Sequence, residues 1–163
     1  MKIINEIKLV ELEEMRVISF HGYGPGPEDI AWQNLRDWIK KNGHEELVET
    51  QRFFGFNNPN PSPGSENYGY EQWMTLPSEY EGKDGVTIKK LPGGLYAVGG
   101  FRESNPESFG PAWQALNNWR VDSEYVYDES RQWMEELLTK ASVLVEQPSV
   151  DFDCYMPVIK VKA

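Results

Sequence analysis

Ala31-Trp32-Gln33-Asn34-Leu35-Arg36-Asp37-Trp38 returns 81 residues later as Ala112-Trp113-Gln114-Ala115-Leu116-Asn117-Asn118-Trp119. The alanine, the glutamine, the leucine and both tryptophans keep their places. Their spacing puts Trp32, Leu35, Trp38 and Ile39 on one face of a helix. A repeat at a fixed period sets the architecture before any local reading does. Two further echoes keep the same order at nearly the same offset. Val10-Glu11-Leu12-Glu13-Glu14-Met15 resembles Val86-Thr87-Ile88-Lys89-Lys90-Leu91, and Tyr70-Glu71-Gln72-Trp73-Met74 resembles Phe152-Asp153-Cys154-Tyr155-Met156. The chain therefore reads as a single domain, residues 1–163, made of pseudo-repeats at about 1–80 and 81–163.

The segments around the helices fill in each half. Residues 7–14 and 16–21 are rich in Val, Ile, Leu and Phe and predict strands. Gly22-Tyr23-Gly24-Pro25-Gly26-Pro27 predicts a loop, and a helix follows from about 29 to 41, stopping near Asn42-Gly43. Strands are expected at 50–57 and 68–76, separated by a turn-rich loop. The second half repeats the plan: strands near 86–91 and 95–101, a helix near 109–119, and strands near 123–127 and 150–161. An extra helical segment is expected over 128–141. The expected fold class is α+β, duplicated βαββ units with antiparallel strands and helices on one face, with pseudo-twofold symmetry and a central ligand cleft expected if an axis relates the halves.

Composition narrows the function. Among 163 residues, 16 Lys and Arg stand against 26 Asp and Glu, a net charge of −10. Such a chain is poorly suited to grip phosphate backbones, so no direct nucleic-acid contact is expected, and it attracts cations instead. One Cys and two His leave no disulfide framework and no metal site. No cofactor is expected. Neither a signal peptide nor a long apolar run is present, so a cytoplasmic protein without membrane contact is expected. There is no nucleophile elbow, phosphate-binding loop or dinucleotide fingerprint.

The matching strands supply the candidate site. Side chains alternate along a strand, so Glu71, Trp73 and Thr75 share one face, and so do Asp153, Tyr155 and Pro157. The duplication pairs Glu71 with Asp153 and Trp73 with Tyr155. About a pseudo-twofold axis, both carboxylates and both aromatics can line one cleft, a setting for a cationic or polarised ligand. The plainer alternatives stay open: both carboxylates facing solvent, the tryptophan stripes as helix core, and Cys154 as buried packing.

These segments resemble the GyrI-like effector-binding superfamily, which also forms the ligand-binding domain of multidrug-responsive and AraC-type regulators. The resemblance rests on Val10–Gly22 with its Gly-Pro loop, the helix holding Trp32 and Trp38, and Phe54-Gly55-Phe56-Asn57-Asn58-Pro59. Tyr68-Gly69-Tyr70-Glu71-Gln72-Trp73 and Phe152-Asp153-Cys154-Tyr155-Met156-Pro157-Val158 complete it. It implies paired βαββ units around a cleft that takes bulky aromatic or cationic compounds between aromatic walls and a buried acid. Asp153 stands where that family usually has a Glu, with Glu71 as the matching carboxylate of the first half. The expected ligand-binding residues are thus Glu71, Trp73, Asp153 and Tyr155, with Tyr68, Tyr96, Phe56 and Trp113 around them. Glu71 and Asp153 are also the candidate catalytic groups. With no helix-turn-helix segment, the chain resembles the stand-alone form. The leading expectation is a small-molecule binding protein. The alternatives are a hydrolase that detoxifies strained electrophiles such as cyclopropanoids, and a DNA gyrase inhibitor or regulator partner acting by protein contact.

Overall fold

The structure, a computed structural model, describes residues 2–3, 6–82, 85–105 and 110–161. In chain order the elements are β1 (Lys2–Ile3), β2 (Lys8–Leu12), β3 (Met15–Gly24), α1 (Pro27–Lys41), α2 (Leu47–Thr50), β4 (Phe53–Asn57) and β5 (Tyr68–Thr75). They continue as β6 (Thr87–Leu91), β7 (Gly94–Ser104), α3 (Gly110–Val121), β8 (Tyr125–Tyr127), β9 (Met134–Leu137), α4 (Ala141–Leu144) and β10 (Val150–Lys160). The strands make one antiparallel sheet in the order β1-β7-β10-β9-β4-β5-β3-β6, with β2 on β7 and β8 on β10.

Two short links curl this sheet. Glu13 and Glu14 join β2, at one end of the strand order, to β3 near the other, and Pro92 and Gly93 join β6 back to β7. The links pass so closely that a Cβ at Gly93 would sit 2.9 Å from the Glu14 amide nitrogen and 3.0 Å from the Leu12 carbonyl, so only glycine fits. The curl gathers Leu12, Val17, Phe54, Trp73, Leu91, Tyr96, Met134 and Tyr155 into one buried cluster on the inner face.

The outer face carries the helices. Helix α1 begins with Pro27, has Glu28 and Asp29 in its first turn and Lys40 and Lys41 in its last, an order that suits the helix dipole. The Asn42 side chain closes it by donating to the Trp38 carbonyl at 2.9 Å. Its Leu35, Trp38 and Ile39 pack on Ile18, Phe53 and Met74, while Ala112 and Leu116 of α3 pack on Phe101, Phe152 and Cys154. The helix expected from about 109 is described from Gly110 onward; Phe109 lies outside the described residues.

The helix expected over 128–141 is absent. Asp128 accepts bonds from Ser130 and Arg131, and the Arg131 guanidinium donates onward to the Leu95 and Val158 carbonyls, tying a turn to the sheet. The chain then enters β9, seated between β4 and β10 near the centre of the sheet. Glu, Leu and Met favour helix in isolation, but ladder bonds on both sides and burial of Met134 and Glu136 override that weak preference. Only α4, a single turn, falls at the segment's end. Met134→Ala should therefore cost about 2–5 kcal/mol in urea unfolding, the penalty of a cavity in a core strand. A loss below about 0.5 kcal/mol would contradict this placement.

Candidate functional site

The N-terminal parts of α1 and α3 stand apart over the outer face of the sheet, and the gap between them is a cleft of about 780 Å³. Helix α1 contributes Glu28 and Asp29, and α3 contributes Trp113. Tyr68 and Trp133 form further wall, Asn57 and Asn60 a rim, and Glu135 part of the floor. A smaller lobe of about 240 Å³ continues along α1 and shares Glu28, Asp29, Glu135, Glu146 and Gln147 with the main cleft.

Glu135 is the electrostatic centre. The Tyr70 hydroxyl donates to it at 2.7 Å. Burial raises its pKa to about 8, helped by the charge of Glu28 and opposed by the hydrogen bonds from Tyr70 and Trp113. It therefore holds its proton at neutral pH. Its neighbour across the sheet is Cys154, buried and with its thiol pushed well up by burial. Gly55, registered between Gln72 and Glu135, makes the Tyr70 bond possible. Tyr70 on β5 reaches over β4 to β9, and a Cβ at Gly55 would collide with its hydroxyl. The walls add ring faces: Trp113 meets Trp133 edge to face at 4.5 Å, and Tyr68 is held by donation to Glu28 at 2.7 and 2.9 Å.

The sequence-derived carboxylates lie elsewhere. Glu71 is on the inner face and only 3% exposed. It accepts from Ser19 at 2.7 Å, Asn58 at 2.6 Å, Trp73 Nε1 at 3.1 Å and Lys89 at 2.6 Å. Burial alone would raise its pKa, but the Lys89, Asn58, Ser19 and Trp73 bonds outweigh it and hold the carboxyl at about 2. Asp153 pairs with Arg102 at 3.4 Å, its pKa raised by burial against that arginine's pull. Tyr155 donates to Glu136 at 2.8 Å, and Arg52 grips the same carboxylate with two bonds at 2.7 and 2.8 Å. Tyr96 donates to the Pro92 carbonyl beneath the Arg131 guanidinium, and Trp73 packs edge to face on Phe56 at 4.8 Å. Of the expected set, Tyr68 and Trp113 wall the cleft, and Phe56 touches its border while its ring packs in the inner cluster. Glu71, Trp73, Asp153, Tyr155 and Tyr96 do not, because strand alternation turns them to the inner face.

Sequence reasoning missed Glu135 because it was assigned to a helix. A signal was present: the offset of 81 that links the helices carries Phe53–Asn57 onto 134–138, the place of β9. Among the described residues no group of three or more His, Cys, Asp or Glu is placed to hold a metal ion. None of the described helices is long and apolar enough to cross a membrane.

An α+β chain with a curled antiparallel sheet, two helices on its outer face and an acidic, aromatic cleft between them has the architecture of an effector-binding domain. The chain belongs to the family of integron-associated effector binding proteins, whose pattern it matches over residues 8–158. A DNA gyrase inhibitor of Erwinia billingiae is 26% identical over 161 residues, covering 94% of this chain and 97% of that protein. The fold is shared with the C-terminal domain of EcmrR (TM-score 0.67, 15% identity, 96% of this chain and 98% of that one). The chain spans 58% of the EcmrR chain in its complex with DNA (TM-score 0.70, 14% identity, 96% of this chain). SAV2435, solved with tetraphenylphosphonium, also shares the fold (TM-score 0.56, 10% identity, 95% of this chain and 94% of that one).

The two carboxylates should separate in experiment. With its pKa lowered in the fold, ionised Glu71 contributes stability above the unfolded value near 4.5, and loses it as pH falls toward 2. Glu71→Gln should lower stability at pH 7 by about 1–3 kcal/mol and flatten the acid limb of the stability curve. Gly55→Ala should instead break the Tyr70–Glu135 bond, seen as a downfield-shifted Tyr70 hydroxyl proton that disappears from the NMR spectrum.

Proposed function

We propose that this protein binds small aromatic cations in the Glu135 cleft. The observation that carries the reading is a half-buried carboxyl of raised pKa at the floor of a cavity walled by aromatic rings, with Glu28, Asp29 and Glu146 around it. A desolvated acid discriminates strongly for positive charge, and ring faces add about 0.5–2 kcal/mol each toward a cation. Membership of an effector-binding family and the fold shared with tetraphenylphosphonium-bound SAV2435 support it. The ligand-binding residues are then Glu135, Tyr70, Tyr68, Trp113 and Trp133. Glu71, Trp73, Asp153, Tyr155 and Tyr96 hold the sheet. The strand order supports reading the chain as two fused units. Each runs a strand, a helix and two further strands (β3-α1-β4-β5 and β7-α3-β9-β10), and β4 and β9 meet between them.

A second reading, inhibition of DNA gyrase by protein contact, is favoured by the name of the Erwinia billingiae relative, which the chain matches along nearly its whole length. It predicts inhibition in a supercoiling assay without any added ligand, unchanged in Glu135→Gln.

The cleft reading is tested by titrating tetraphenylphosphonium against intrinsic tryptophan fluorescence. Glu135→Gln should weaken binding by about 10–100-fold, while Glu71→Gln should leave the affinity of the folded protein unchanged. Equal affinity in wild type and Glu135→Gln would overturn the reading. Analysis of the same mixtures for products tests for turnover.

The pH dependence has a fixed sign. Glu135 is protonated below about 8 when the cleft is empty, and a cation stabilises its ionised form. Tyr70, Trp113, Glu28 and Cys154 face this carboxyl from the neighbouring elements, and Arg36 lines the adjoining lobe. Binding of the permanently charged probe should therefore release a proton below about pH 8, and affinity should climb with pH until about 8. Calorimetry in buffers of different ionisation enthalpy measures the release.

A further inference from the structure

The smaller lobe is lined by a residue whose acceptor none of the described residues uses. Gln72, on β5, lines it and is only 1% exposed. Its Nε2 donates to the Phe54 carbonyl at 3.1 Å and the Trp73 carbonyl at 3.3 Å, which fixes which end of the amide is which. Its Oε1 has no hydrogen-bond partner among the described residues. That oxygen lies over Gly55, where a Cβ would stand 2.8 Å from it and would also meet the Tyr70 hydroxyl. The Tyr70 hydroxyl is already given to Glu135, which lines the same lobe. Two acceptors, Gln72 Oε1 and the Glu135 carboxyl, thus flank one patch of floor beside Gly55.

Arg36, the basic side chain of the lobe, does not satisfy them. Its Nε donates to the Val143 carbonyl at 2.6 Å and its Nη2 to the Ser142 carbonyl at 3.4 Å, and its guanidinium lies 5.8 Å from the centre of the Trp32 ring. Ser142 likewise spends its hydroxyl on the Thr139 carbonyl at 2.7 Å. Leu137, Val150 and Phe152 supply apolar surface. A buried acceptor left without a donor is costly, and native proteins leave few.

We infer that the smaller lobe is a donor-reading subsite: it takes the N–H-bearing end of an aryl cation, such as an amidinium or primary ammonium, with Gln72 Oε1 and Glu135 as joint acceptors. An onium ion without N–H groups satisfies the charge of Glu135 and leaves Gln72 unpaired. A site built to receive a donor rejects the analogue that lacks one, because the buried polar group is then stranded. This inference rests on the cleft reading above and adds to it the class of cation preferred.

The test uses a matched pair, 4-amidinobiphenyl and 4-(trimethylammonio)biphenyl, titrated by tryptophan fluorescence. They share aryl group and charge and differ in N–H donors. Wild-type protein should bind the amidinium about tenfold or more tightly, as expected for a charge-assisted hydrogen bond. Gln72→Leu should erase that preference, bringing the amidinium affinity down to that of the trimethylammonium compound. Because Gln72 also donates to two carbonyls, a second variant guards against loss of fold. Gln33→Trp, at an exposed α1 position lining the lobe, should plug it and erase the same preference. Equal affinities in wild type, or a preference that survives both variants, overturns the subsite and leaves the Glu135 reading standing. Binding of neither compound, nor of tetraphenylphosphonium, overturns both.

Discussion

The pairing of β4 with β9 is the constraint on which the molecule turns. Only three residue pairs form it, Phe53 with Leu137, Phe54 with Glu136 and Gly55 with Glu135. Without it the sheet would part into two smaller ones, each with an exposed edge. Alternation gives each pair a separate task. Phe53 and Leu137 face the helices, and Phe54 and Glu136 face the inner cluster. Gly55 and Glu135 lie at the cleft floor. Joining the halves and building the site are one structural event.

Glu135 and Glu136 show what a single step along a strand does. Glu136 turns inward and meets the Arg52 guanidinium and the Tyr155 hydroxyl, partners that satisfy an ionised carboxylate. Glu135 turns outward and meets two neutral donors and the like charge of Glu28, with no ion pair among the described residues, so desolvation decides its state. Glu71, with Lys89 and three further donors, belongs with the first kind. A carboxylate supplied with its own cation has no vacancy for another. The residue type is the same in all three places, and the partner list decides which can receive a ligand.

Much of the fold was legible in the sequence, because long amphipathic helices and apolar strands announce themselves by period. The helix holding Trp32 and Trp38, the strands around residues 18, 71 and 155 and the antiparallel α+β class all follow from spacing. An acid among aromatic rings was legible as a pattern. Which residues border the cleft was not, for two physical reasons. Strand alternation says which residues share a face but not which face carries the cleft, so Glu71 and Trp73 stood as good a chance as Tyr70 and Gln72. And β9 is only four residues long, held by ladder bonds on both sides, with local composition that favours helix.

On the proposed reading, the state of Glu135 would set the selectivity of the cleft. Folding half-buries Glu135 and sets it near Glu28, which raises its pKa and favours keeping a proton on it. On the proposed reading, proton and ligand are alternative occupants of one carboxyl. A neutral aromatic compound can use the walls of Trp113, Trp133 and Tyr68, but it cannot replace the proton. An anion meets Glu28, Asp29 and Glu146 on a chain of net charge −10. On that reading shape admits a broad range of flat or bulky ring systems, and charge does the excluding. A site of this kind is permissive toward structure and strict toward sign, because the desolvation cost is fixed by the fold while the aromatic walls tolerate many outlines.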